Sequence, residues 1–349
     1  MRFQKAVLTI FLLLLLTSCS LGNTPAPEDK PVEGEDYMMG TTILQKVYGT
    51  DAQKAVAETV IRLKEIEELM TINVPGGDIN RLNEAAGKSK VVLSPETLTI
   101  LETAKRYAAL SDGSFDVTVG PLVKAWGIFT DHPRVPPQDE INRLLQLVDY
   151  RTLTIDMTSS SARLDKPGQV VDLGGIAKGY AGDEAIKIYK SHNVISAYIN
   201  LGGNVVVLGG KPDGSPWRIG IQNPRAANGL YIGVLKVKDK AVVTSGNYER
   251  YFEKNNVRYH HIIDTKTGYP AESGLISSTI VTDVSMNADA LSTATFVLGL
   301  DKGMKLVKNL KGVEAIFITK DKKVYVTEGL KNSFTFDDES REFKYAEKG

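Results

Sequence analysis

The chain has 349 residues, 42% of them hydrophobic and 24% charged, which suits a globular domain with one large core or two lobes. Lys plus Arg and Asp plus Glu both total 42, so no basic field exists to hold a phosphate backbone, and nucleic acid is excluded as a partner. One cysteine excludes an internal disulfide, and four histidines without further thiols leave little for a zinc site, so any metal would fall to oxygen ligands, as magnesium or calcium does.

The chain opens with a short basic head, Met1-Arg-Phe-Gln-Lys5, and an apolar run over residues 6–16. Leu16-Thr-Ser-Cys19 follows as a small-residue exit. The apolar run is too short for a membrane span and reads as a secretion signal over residues 1–18. The exit resembles a bacterial lipobox, which implies cleavage before Cys19 and lipid on that cysteine. The expected location is therefore the bacterial cell envelope, lipid-anchored, on the periplasmic face of the inner or outer membrane in a Gram-negative cell. Ser20 favours the outer one. Residues 19–36 are rich in Pro, Glu and Asp without apolar periodicity and are expected to be a tether, leaving 37–349 as the folded domain.

Residues 42–48 have the β-branched and aromatic content of a strand. Val56, Val60, Leu63, Ile66 and Leu69 recur at helical steps and predict a helix over 51–70. After the break at Pro75-Gly-Gly77, residues 78–83 suit a short helix with Asp78 at its start. Ser94-Pro-Glu96 is a helix entry, and the helix runs to about residue 111 with Leu98, Leu101, Ala104 and Ala108 inward. It stops at Asp112-Gly-Ser-Phe-Asp116, where a turn or cap carboxylate is the plain role for Asp116, and core packing the plain role for Phe115 and Trp126. A Pro-rich loop leads into a helix over 139–148, residues 150–155 and 169–171 read as strands, and 156–167 as polar turn.

Asp172-Leu-Gly-Gly-Ile-Ala-Lys-Gly-Tyr-Ala-Gly-Asp183 packs four glycines, one lysine and two carboxylates into twelve residues. Two readings stand: a tight structural turn, or an anion site in which the free N–H groups of a helix starting at 175–177 face a phosphate beside Lys178. The helix would run to about residue 192. A glycine-interrupted strand pair at 197–209 and strands at 217–224, 231–237 and 241–244 argue for a mainly antiparallel sheet. His260 and His261 are neighbours, so on a strand at most one faces a given site. A strand at 277–284 leads into a helix from 286 to 303 that carries Asp289, Ser292 and Thr293 on one face, either as an early-turn cap or as hard-cation ligands. Short strands around a turn at Asp321-Lys322 follow, and the charged tail from 337 is expected to be peripheral.

Met39-Gly-Thr, Asp112-Gly-Ser-Phe-Asp116, Val119-Gly-Pro-Leu, Asp172-Leu-Gly-Gly-Ile-Ala-Lys-Gly-Tyr, Asn200-Leu-Gly-Gly, Thr244-Ser-Gly, His261-Ile-Ile-Asp-Thr-Lys-Thr-Gly-Tyr-Pro and Ala288-Asp-Ala-Leu-Ser-Thr occur in one order, over most of the mature chain. Together they resemble the ApbE family, the FAD:protein FMN transferases. The resemblance implies an α+β fold, mainly antiparallel sheets with flanking helices in two lobes around a flavin-nucleotide cleft. It implies a Mg²⁺-dependent reaction that cuts FAD, attaches FMN to a Thr or Ser of an acceptor protein and releases AMP. The expected acceptor belongs to a secreted or membrane electron-transfer system.

By the same resemblance Met39, Asn73, Ser114, Phe115, Asp116, Gly174, Lys178, Tyr180, His261 and Ile263 match flavin-nucleotide contacts. The Ala177 carbonyl, Asp289 and Thr293, with Ser292 nearby, match magnesium ligands. His261 is the candidate general base, since imidazole titrates near neutral pH. One departure stands out: Asn73 lies where most members carry tyrosine. A smaller amide leaves room for water, so Mg²⁺-dependent FAD hydrolysis to FMN and AMP is the second expectation, with Asn73 counted among the catalytic candidates. A non-enzymatic flavin-binding lipoprotein is the third.

Overall fold

The computed structural model describes residues 30–72, 75–226 and 229–347; the signal segment, Cys19, most of the expected tether and Asn73 lie outside the described residues. Its centre is a nine-stranded sheet ordered β1 (Val32–Met38), β2 (Thr41–Tyr48), β6 (Ser196–Leu201), β7 (Asn204–Leu208), β10 (Lys240–Gly246), β13 (Leu275–Thr282), β14 (Glu314–Thr319), β15 (Lys323–Val326) and β17 (Lys344–Ala346). Every neighbouring pair is antiparallel except β15 with β17. The central strands are buried on both sides, so consecutive residues serve different cores. Val206, Val243, Ile280 and Phe317 join one core, while Val205, Val242, Val281 and Ile316 join the other. This explains why 204–208 and 275–282 read as unbroken apolar or small-residue runs instead of alternating.

The larger core is closed by the helices α1 (Ala52–Met70), α3 (Pro95–Leu110), α6 (Ala177–Ser191) and α7 (Ser285–Lys308), the smaller by a sheet of β8 (Trp217–Gln222), β9 (Tyr231–Val237) and β16 (Phe334–Phe336). A three-stranded sheet of β3 (Val91–Val92), β5 (Ser161–Leu164) and β4 (Leu153–Asp156) packs beside the short α2 (Asp78–Glu84). A third small cluster gathers Trp126 of α4 (Gly120–Trp126), Ile141 of α5 (Gln138–Leu145) and the ribbon of β11 (Tyr251–Lys254) and β12 (Val257–His260). The architecture is thus mixed α+β, with antiparallel sheets flanked by helices.

The expected helix entry holds: Ser94 Oγ accepts from Thr97 N at 3.2 Å with Pro95 in the first turn. Asp78 does not cap its own helix; its carboxylate takes the Ser94 N–H at 2.8 Å and joins α2 to α3. Four other expectations change. The sequence places the tether through residue 36, but β1 begins at Val32 and pairs along β2, its Glu33 and Glu35 on the exposed side of an edge strand, where acidic residues suit an edge as well as a linker. Residues 169–171 form no strand beyond a bridge from Val170 to Val119, because Val171 exchanges both backbone bonds with the Asn83 amide. Residues 161–164, expected as turn, are β5. The tail is not peripheral: Phe343 is buried and β17 extends the main sheet. No helix among the described residues is long and apolar enough to cross a membrane.

Candidate active site

The site forms where the start of α6 meets the second and third turns of α7. Leu173 O accepts from both Ile176 N (3.0 Å) and Ala177 N (2.9 Å), closing the glycine turn into the helix. Asp172 Oδ1 accepts from Gly174 N at 2.8 Å. The anion-nest expectation is therefore corrected in part: the Ile176 and Ala177 amides are already paired within the turn. The cationic group of the loop is Lys178, whose Nζ donates to Gly174 O at 3.1 Å. Burial raises the pKa of Asp172, with Lys178 and Lys124 opposing it.

Asp289 is buried, and its Oδ2 accepts from Gly179 N at 2.8 Å. The helices meet so closely there that a Cβ on Gly179 would lie 2.5 Å from Ser285 O and 2.7 Å from Asp289 Cβ. Asp183 finishes the junction by capping α7, accepting from Ser285 N (2.8 Å) and Met286 N (2.9 Å). One turn beyond Asp289, Ser245 Oγ of β10 stands 2.8 Å from Ser292 Oγ and 3.3 Å from Thr293 Oγ1. Ser292 Oγ donates to Asp289 O at 2.8 Å. Gly175 fits between the Phe115 ring and Thr293: a Cβ there would meet Phe115 Cε2 at 3.2 Å and Thr293 Oγ1 at 3.3 Å.

Phe115 reaches that position because its loop is tied to the glycine turn. Asp172 N donates to Val117 O at 2.7 Å, and Gly120 N to Val170 O at 3.2 Å. Asp116 organises the same loop from inside: Oδ1 accepts from Thr118 N and Oγ1, and Oδ2 from Tyr150 N at 2.8 Å. Burial raises its pKa against those donors. Both oxygens of Asp116 thus serve the fold, the plain role expected of it. Ser114 is buried beside it.

His261 leaves β12 with its N and Nδ1 at 3.0 and 3.2 Å from Arg250 O. A carbonyl only accepts, so Nδ1 carries the hydrogen and Nε2 keeps its lone pair in the neutral ring. Desolvation, with His260, Lys178 and Arg250 nearby, pushes the His261 pKa down to about 3. Arg250 also donates to Gly40 O, which brings the turn of Met39, held by Glu67 Oε1 at 2.8 Å, to the same edge. His260 faces the interior: Nε2 donates to Ala271 O (3.2 Å) and Nδ1 accepts from Ile262 N (3.3 Å), so its role is structural.

Two candidates sit apart from this convergence. The Tyr180 hydroxyl donates to Glu96 Oε2 at 3.1 Å within an ion network of Arg62, Glu96 and Glu184 that joins α1, α3 and α6. The Ile263 side chain packs in the small cluster with Trp126 and Ile141. Conversely, Ser245, Arg250 and Asp183 join this junction without being sequence candidates; the sequence marks Ser245 only within Thr244-Ser-Gly and Asp183 only as a carboxylate of the 172–183 stretch.

Among the described residues no group of three or more His, Cys, Asp or Glu is placed to hold a metal. The oxygens here are nonetheless of the hard type that magnesium takes together with substrate phosphates: the Asp289 carboxylate oriented by Gly179, and the Thr293 hydroxyl, with Ala177 opening the first turn of α6.

Comparison with known proteins places the whole fold. Residues 39–317 match the model of the ApbE family. The chain is 37% identical over 291 residues to a Klebsiella pneumoniae (strain 342) protein named FAD:protein FMN transferase, covering 83% of this chain and 90% of that one. A protein of the same name from Treponema pallidum (strain Nichols) is 35% identical over 312 residues, covering 84% and 86%. The crystal structure of the ApbE protein of Thermotoga maritima MSB8 superposes with a TM-score of 0.82 at 33% identity, over 87% of this chain and 99% of that one.

Proposed function

Since the chain belongs to the ApbE family and is an enzyme of the transferase type, we propose that it cleaves FAD, transfers FMN to a Thr or Ser hydroxyl of an acceptor protein and releases AMP. The observation that carries this reading is the meeting of Asp289, Thr293 and the Leu173–Lys178 turn against Phe115. The cation for that site would be Mg²⁺, which Asp289, Thr293 and the Ala177 carbonyl would hold. When bound it neutralises diphosphate charge and eases departure of the AMP phosphate.

The remaining work belongs to this chain's own side chains. Lys178 offers a positive charge to the diphosphate, and the Phe115–Gly175 contact closes one wall of the cleft. The acceptor oxygen bonds to the FMN phosphorus while the P–O bond to AMP breaks, the electron pair leaving with AMP. His261 Nε2 takes the hydroxyl proton. Its low pKa in the free protein keeps it neutral and able to accept, and a dianionic diphosphate beside it raises its basicity. Lipid on Cys19 would hold the enzyme at the bacterial envelope, facing a membrane electron-transfer acceptor.

Asn73 supports a second activity, hydrolysis of FAD to FMN and AMP when water replaces the hydroxyl. The test is mass spectrometry of envelope proteins co-expressed with the enzyme, alongside AMP release from FAD and Mg²⁺ without acceptor. Covalent FMN on a Thr or Ser, lost on Asp289→Ala, is expected for transfer. AMP release without acceptor, reduced by Asn73→Tyr, is expected for hydrolysis. Intact FAD in both assays would refute both readings.

A further inference from the structure

Four oxygens lie in series from the mouth of the site to its floor: Thr293 Oγ1, Ser245 Oγ, Ser292 Oγ and the Asp289 carbonyl, with spacings of 3.3, 2.8 and 2.8 Å. Each hydroxyl has one hydrogen, and the last member of the series has none. Ser292 must therefore give its hydrogen to Asp289 O. Ser245 must then give its hydrogen to Ser292. Thr293 is left to give its hydrogen to Ser245, the one remaining acceptor in the chain. The direction of every bond follows from the carbonyl at the buried end.

We propose that this chain of hydroxyls is a polarity device: it turns the Thr293 hydroxyl so that its hydrogen faces inward to Ser245 and only lone pairs face the site, which makes Thr293 an obligate electron-pair donor to a cation. Ser245 is accordingly a positioning residue for metal binding, and Ser292, counted on sequence among the cation ligands, is its buried anchor. Burial supports the assignment, because Ser292 and the neighbouring Ser278, Thr279 and Thr295 are fully enclosed. Ser292 therefore cannot turn to water, and its bond to Asp289 O fixes the buried end of the series, while Ser245 and Thr293 lie part-buried above it. A threonine free to rotate would present its hydrogen to the site part of the time and weaken the cation site.

The inference rests on the proposed metal site, so the experiment separates the two. Mn²⁺ is titrated into the folded protein without FAD and its free fraction is read by electron paramagnetic resonance. Asp289→Ala tests the site itself and should abolish binding. Ser245→Ala should weaken Mn²⁺ on the order of fivefold, the effect of one misdirected hydrogen bond, and Ser245→Thr should restore it. Ser245→Ala combined with Ser292→Ala should lose no more than Ser245→Ala alone, since both break one series. Thermal unfolding of the metal-free variants checks that each is folded. If Asp289→Ala abolishes binding while Ser245→Ala leaves it unchanged, or if the two serine losses simply add, the polarity device is refuted and the site stands. If Asp289→Ala leaves binding unchanged, the site reading itself fails and the device falls with it.

Discussion

His260 and His261 are adjacent in the chain and differ in almost everything else. Both are neutral in the folded protein, since burial pushes their pKa values down to about 4 and about 3. An unfolded histidine titrates near 6.5, so below that pH the unfolded chain binds protons that the native state refuses. The two histidines therefore withdraw stability as pH drops from about 6.5 towards 3 and contribute no pH dependence well above 6.5. Urea unfolding at pH 7.5 and pH 5 should show the loss, and His260→Gln should reduce it by about half, leaving the His261 share; an unchanged slope in that variant would contradict the assignment. Alternation on a strand foretold that only one of the pair could face a site, yet it could not say which. The choice depends on Ala271 and Arg250, carbonyls 11 residues away from their respective histidines. Asp116 is the opposite case, a carboxylate whose plain turn role was legible because its partners, Thr118 above all, are local.

At the scale of elements, the contact between α6 and α7 sets the geometry of the proposed site. Gly179 lets the two helices approach until its amide reaches Asp289, and Gly182 continues the seam against Ser285 and Val206. Gly179→Ala would drive a methyl group into backbone atoms of Ser285 and Met286, with an expected cost of about 1–3 kcal/mol. Differential scanning calorimetry should show the lower melting temperature, and FAD cleavage should fall with it; a variant as stable as the parent would refute the close-approach argument. The glycine spacing in 172–183 was visible in the sequence and suggested an anion nest. Its use as a helix-packing seam was not, because the partner lies more than 100 residues later. Arg62, on the other side of α6, illustrates the same limit: its bonds to Glu96, Glu184 and Tyr180 tie three helices behind the glycine turn, and no local pattern announces them.

For the whole molecule, strands and helices of strong periodicity are legible between residues 42 and 325, and the antiparallel class follows from the glycine-interrupted pair at 197–209 and the strands over 217–244. The two ends were misread for one reason. Both are charged edge strands, and charge on the solvent face of an edge looks like a linker in sequence. The tail gives a direct check. Removing residues 337–349 would uncover the β15 edge and the pocket of Phe343, so the shortened protein should melt at lower temperature and aggregate more readily. Equal melting of the tail-deleted and parent proteins would contradict the place given to β17.

The proposed mechanism has FAD cleaved at a cation lodged between the start of α6 and the face of α7. Its most direct test is the anomalous signal of Mn²⁺ in crystals soaked with FAD. The ion should appear against the flavin dinucleotide's diphosphate, in contact with Asp289, Thr293 and the Ala177 carbonyl. An ion bound to the diphosphate but remote from those three groups would contradict the account.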